Sequence, residues 1–195
     1  TVMAVTGNQA TAGSTVVIRV ALRDTSGGSA FSATDSRGNT YTVDVAANNG
    51  TLTRVAIISS SITTGLGSGD WIQVIHPANQ GSAVRADVYS GIAATGRVVT
   101  TGTGAGFSAG ASVAVNTTVE DTVVVGVVGT RNNSSITQPA PWIGLESGSV
   151  SCASNMGRAA AWRAVHTASA VTYNPSFAVT ERWSAAVVVY RTISS

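Results

Sequence analysis

Apolar residues along this chain recur with a period of two. In "STVVIRVAL" (14–22), Val16, Ile18 and Val20 point one way, and in "YTVDV" (41–45), Tyr41, Val43 and Val45 alternate with Thr42 and Asp44. Such alternation predicts strands with one buried and one wet face. "TRVAIIS" (53–59), "DWIQVIH" (70–76) and "AVRADVYSGI" (83–92) continue the series. "DTVVVGVVG" (121–129) and "WSAAVVVYR" (183–191) are apolar on both faces, which predicts central strands covered on each side. Glycine, asparagine, serine and proline clusters such as "NNG", "GLGSG", "GTGAG" and "QPAP" separate these runs as turns. Helix signals are nearly absent. In "SNMGRAAAWRAV" (154–165), Gly157 interrupts the best helical stretch and no capping box precedes it, so its second half reads as a strand.

About twelve short strands without a repeat unit predict an all-β fold. The expected architecture is a two-sheet antiparallel β-sandwich, jelly-roll-like, spanning residues 1–195 as one domain. Within "TDSRGNTYTV" (34–43), Gly38 can adopt positive φ and Asp35 can bond its own backbone two residues on. The expectation there is a type I turn with a glycine bulge, joining paired strands near 30–34 and 40–46. Calcium binding through Asp35 and Asn39 would need several more oxygen ligands than the neighbouring hydroxyls and carbonyls supply.

Charged residues make up only 10% of the chain, against about 25% in ordinary globular proteins. Weak charge protection combined with 44% hydrophobic residues favours self-association. The eleven basic residues are all Arg and scattered singly, unlike the patch or stripe of a nucleic-acid binder. With no Lys, a phosphate-loop lysine, a Schiff-base lysine and a Ser-Lys dyad are excluded. Cys152 is the only cysteine, which rules out an intrachain disulfide and a cysteine zinc cluster and suggests a small buried thiol. No apolar run approaches the roughly 20 residues of a bilayer span, and no signal-peptide pattern opens the chain. No cofactor, nucleic-acid or membrane partner is expected.

The ordered set "TDSRGNTYTV", "GDWIQV" (69–74), "RADVYSGI" (85–92) and "WSAAVVVYR" resembles β-sandwich domains of bacteriophage virion appendages and bacterial surface proteins. In those domains the first segment is a D-x-x-G-N-x-Y hairpin. The similarity covers roughly residues 30–192. It implies a lectin-like jelly roll and a non-enzymatic role as a decoration, head-fibre or tail protein. The expected location is then the virion, with bacterial surface or extracellular placement as the alternative, and the expected partners are virion proteins and copies of itself. Residues 1–29 are less covered and leave room for an amino-terminal docking arm or strand.

Catalytic patterns are thin. "GFSAG" (106–110) matches a nucleophile elbow, with Asp121 and His166 following in hydrolase order, but "ASVAVNTT" continues it as a strand instead of the required helix. The nine acids fall mostly at turns, and no pair stands out for glycosidase work; Asp44 and Asp87 sit within strands, on a wet face or beside an Arg. His76 and His166 lack metal-ligand spacing and read as hydrogen-bonded or exposed residues. Neither a catalytic nor a metal residue is therefore nominated. For carbohydrate binding by a surface module acting on host glycans, an exposed aromatic face is the feature to find. Trp71 and Trp183 open apolar strands and read as core, while Trp162 in "AAAWRAV" is ambiguous between core and surface. Trp142, in the Pro-bounded loop "QPAPWIGLE", is the best candidate for exposure, as a sugar platform, an interface anchor or a contact that pins the loop.

Overall fold

The computed structural model describes residues 2–4, 9–26, 30–145 and 156–193. These residues form an antiparallel β-sandwich with no helix. Strands are numbered in chain order. One central sheet runs β4 (Thr42–Asn49), β5 (Thr53–Ser61), β2 (Thr15–Ser26), β7 (Ala78–Tyr89). The other runs β11 (Ile136–Thr137), β15 (Ser176–Arg191), β10 (Thr122–Thr130), β13 (Gly157–Val165), β12 (Ile143–Gly144), with β8 (Val98–Gly110) also paired to β15.

Between the central sheets lies a core in which Val17, Ala21, Val55 and Ile57 meet Val125, Val127, Ala160, Ala186 and Val188. The outer face of each central sheet is also dry over its middle strands. Val16, Ile18, Val20 and Leu22 of β2 pack under a three-stranded sheet of β1 (Val2–Ala4), β6 (Trp71–Ile75) and β3 (Ser32–Asp35), which contributes Ala33, Ile72 and Val74. On the opposite side, Val124 and Val128 of β10 and Val187 and Val189 of β15 pack under the pair β9 (Val113–Asn116) and β14 (Ala170–Tyr173). The sandwich is therefore four layers deep. Each fully buried Val or Ile stabilises it by about 1.5–3 kcal/mol, so strands apolar on both faces drive the extra layers.

One difference from the expected organisation follows from this layering. The segment 35–41 is not a hairpin: β3 pairs with β6, whereas β4 pairs with β5 in the sheet beneath. Residues 35–41 instead carry the chain from one layer to the next. The described part of 1–29 is built into the fold, with Met3 opposite Ile72 in β1–β6 and β2 at the centre of its sheet. The strand expected in the second half of 154–165 is β13. Cys152 and Glu146 lie outside the described residues.

The interruption in "VVVGVVG" has a packing cause. Gly126 faces the ring of Tyr173, and a Cβ there would sit 2.8 Å from ring carbons, closer than side chains tolerate. The glycine is what lets β14 close down on β10.

Candidate functional site

The crossing segment 35–41 holds the outermost sheet in place through one carboxylate. Asp35 is buried and accepts from the backbone N–H of Arg37 (2.8 Å) and of Asn39 (3.1 Å), from Asn39 Nδ2 (2.8 Å) and from the Tyr41 hydroxyl (2.9 Å). Asn39 then reaches across. Its Oδ1 accepts from the N–H groups of Thr63 and Thr64 (both 2.9 Å), and its Nδ2 donates to the Thr64 carbonyl (2.9 Å). Gly38, at φ +76°, makes the bend that returns the chain toward Asp35. All four fixed positions of D-x-x-G-N-x-Y thus act as a clamp. With its acceptor sites taken up by these donors, Asp35 is employed as a structural group and not as an open cation ligand.

Asp70 secures the other end of this sheet. It accepts from the Gly67 N–H (2.8 Å) and the Ser36 hydroxyl (2.7 Å) and pairs with Arg37 at 2.8 Å. The Gly67 N–H bond is the leading cause that holds the Asp70 carboxyl below the ordinary carboxylate range, followed by the Ser36 bond and then the Arg37 guanidinium.

What this clamped sheet presents outward is the leading candidate surface. Ile72 and Val74 point inward, so Trp71, Gln73 and Ile75 point out, and Trp71 and Ile75 are 39% and 53% exposed. Across β3, Thr34 opposes Gln73 and Ser32 opposes Ile75, both on the same outward face and both exposed. The result is a flat face with an indole, an isoleucine, two hydroxyls and an amide. Such a face can stack on the apolar side of a flat ligand or pack against another protein. Trp71 was expected in the core. The signal available in "DWIQVIH" was Gln73, which shares a face with Trp71 and marks that face as wet.

Trp142 is not exposed, and of its alternatives it takes the loop-pinning contact. It is only 7% exposed, leans on Tyr173 with ring centroids 4.8 Å apart, and donates from Nε1 to the Thr172 carbonyl at 3.1 Å. It pins the Pro-bounded loop onto β14, so its ring offers no stacking platform to solvent. Trp183 is buried as expected and donates to the Ser108 hydroxyl at 2.8 Å.

The elbow-like pattern is dispersed. Ser108 lies in β8 opposite Glu181, while Asp121 and His166 flank the far end of β15, where Thr122 opposes Arg191. Ten strand residues separate these ends, about 30 Å at ~3.3 Å per residue. The Ser108 hydroxyl donates to the Gly110 carbonyl (2.6 Å). His166, 82% exposed by side chain, bonds Asp121 through Nδ1 at 2.9 Å beside a cavity of about 260 Å³ that Thr122, Ala164 and Ile193 also line. His76 bonds the Pro77 carbonyl (2.9 Å) and Asn79 (3.1 Å), in line with a hydrogen-bonded role.

Asp44 and Asp87, the two acids read from the sequence as lying within strands, have buried partners. Asp87 pairs with Arg19, which is fully buried between the central sheets. Burial lowers the Arg19 guanidinium to about 10, partly offset by the neighbouring Tyr89. Asp44 sits at a bulge in β4 and accepts from the Tyr190 hydroxyl at 2.5 Å. Burial raises the Asp44 carboxyl above its ordinary value, against the opposing pull of Ser59, Tyr190 and Arg97. Among the described residues no three His, Cys, Asp or Glu side chains converge as metal ligands, and no helix is long and apolar enough to cross a membrane.

Comparison with family models, with curated proteins and with solved structures finds no match to this chain.

Proposed function

We propose that this chain is a non-enzymatic bacteriophage virion structural protein, a capsid decoration, head-fibre or tail component, acting through protein–protein packing. The observation that carries the reading is the outward face of β6, where Trp71 and Ile75 stand exposed on a clamped, regular sheet. Trp71 and Ile75 share one outward face of the outermost layer with Gln73 between them, and interface cores are enriched in exposed aromatic residues of this kind. The resemblance of the ordered segments from "TDSRGNTYTV" to "WSAAVVVYR", together with a 10% share of charged residues, supports the same reading.

The genes beside its own provide the direct test. Capsid, portal or tail genes are expected there; a neighbourhood of metabolic genes without any virion component would refute the proposal. A second reading, a carbohydrate-binding module of a bacterial surface or secreted protein, is favoured by the exposed Trp71 ring with Gln73, Thr34 and Ser32 around it. On a glycan array, specific binding that Trp71→Ala abolishes supports this second reading. Silence across the array, or binding unchanged in that variant, removes Trp71 from it.

A further inference from the structure

Among the described residues, five edge strands carry a protecting feature and β8 carries none. On β7 the edge carries Arg85 and Asp87, β4 is broken by the bulge between Val43 and Val45, and β12 is two residues long. Strands β1 and β3, at the borders of the outermost sheet, have three and four residues. Charges, bulges and shortness are the devices that stop strand edges from pairing with other chains. By contrast, β8 is 13 residues long, "VVTTGTGAGFSAG", without a charged residue or a proline. Among the described residues it pairs with β15 alone.

The direction of its backbone groups follows from β15. Arg131 donates its N–H to the Arg182 carbonyl (2.9 Å) and Thr192 donates to the Asp121 carbonyl (3.1 Å), so even-numbered residues of this strand bond toward β10. Odd-numbered residues therefore bond toward β8, where Trp183, Ala185 and Val187 oppose Gly106, Gly104 and Gly102. The N–H and C=O groups of Thr101, Thr103, Ala105 and Phe107 consequently point to the open side. All four residues are exposed, Phe107 at 61%.

This edge is also stiff. A Cβ at Gly102 would lie 2.7 Å from Val115, and one at Gly106 would lie 3.0 Å from the Trp183 ring, so β9 and Trp183 press directly onto the glycine backbone. Phe107 is held by Arg182, whose guanidinium carbon stands 4.9 Å from the ring centre. A pre-ordered edge loses little conformational freedom when it gains a strand.

We propose that β8 is the self-association edge of this chain, pairing antiparallel with β8 of a second copy across a two-fold axis. A strand is the occupant that satisfies a row of outward N–H and C=O groups. Centred on Gly104, the pairing sets Thr103 against Ala105 of the second copy and Phe107 against Thr101, an aromatic facing a β-branched residue. No like charges meet, because the strand has none. Both open edges are consumed at once, so assembly closes at two copies instead of propagating. The inference deepens the packing role proposed above and rests on it for the expectation that copies meet.

Sedimentation over a range of concentrations tests it with two variants. Thr103→Pro removes an N–H that points to the open edge and leaves the β8–β15 ladder intact. Ala105→Lys places a charge there without touching the backbone. The expected wild-type species is twice the 19.6 kDa chain mass, and each variant should dissociate at least tenfold more readily while keeping the wild-type far-ultraviolet spectrum. A folded Ala105→Lys variant that dimerises as tightly as wild type overturns the edge assignment, even where Thr103→Pro does not fold. A wild-type chain that stays at one copy at every concentration also overturns it, without touching a role that other virion proteins could serve. A β8-dependent dimer from a gene set without virion components keeps the edge and removes the virion reading.

Discussion

Replacing Asp35 with Ala is the sharpest probe of how the outermost sheet is held. The substitution removes the acceptor for four donors at 2.8–3.1 Å. Arg37 is exposed and the Tyr41 hydroxyl can turn, so their donors recover water at little cost. The backbone N–H and Nδ2 of Asn39 are buried, and an orphaned buried donor costs about 1–3 kcal/mol, while a hydrogen bond to a charged group contributes about 1.5–3 kcal/mol. Taken together and not added in full, the loss is about 3–5 kcal/mol, or a fall in Tm of roughly 6–20 °C for a chain of this length. Asp35→Asn retains one acceptor oxygen for the two backbone donors but turns an amide N–H₂ toward that of Asn39, so about half the loss is expected. Urea unfolding followed by tryptophan fluorescence measures both variants. A double-mutant cycle with Asn39→Ala should return a coupling of at least about 1 kcal/mol. An Asp35→Ala variant within about 1 kcal/mol of wild type would refute the clamp.

Trp142→Ala should cost about 3–5 kcal/mol by urea midpoint, as for a buried aromatic, and leave binding through the Trp71 face unchanged in the folded protein. Asp44 and Asp70 should respond to pH with opposite signs. The Asp44 carboxyl binds its proton more tightly folded than unfolded, so its contribution falls as pH rises from the ordinary 3.8 through the raised folded value. The contribution of Asp70 is complete above 3.8 and is lost as pH falls through its depressed folded value. Urea midpoints between about pH 3 and pH 7 should therefore show Asp44→Asn gaining on wild type as pH rises and Asp70→Asn losing ground.

The strands were legible where a run of five or more residues carried its own period. Both-face burial of β10 and β15 could be read from "VVVGVVG" and "AAVVVY", because such residues have no wet side to offer. The same logic applied to "VVIRVAL" in β2 would have exposed its covered outer face; Arg19 masked it, since a fully buried arginine is uncommon and interrupts the apolar run. Pairing partners were not legible. Asp35, Gly38 and Asn39 fit a hairpin turn and a crossing between layers equally well, and the choice is made by Thr63 and Thr64, 24 and 25 residues further on. Among the tryptophans, prolines beside Trp142 suggested a protruding loop, while the covering surface came from β14, thirty residues later. Trp71 was recoverable from Gln73 alone. The outward edge of β8 required knowing which side of it β15 occupies.

The last described strand, β15, fills the slot between β8 and β10. On a ribosome, that slot stays empty until the chain beyond Ser176 has been made, long after β8 and β10. Both flanking strands must wait with bare edges, one of them uncharged and 13 residues long. Closure of so non-local a sheet is slow, and the nascent chain is most exposed to sticking while it waits for β15. Crowded polysomes making this protein are thus the place where misassembly would begin.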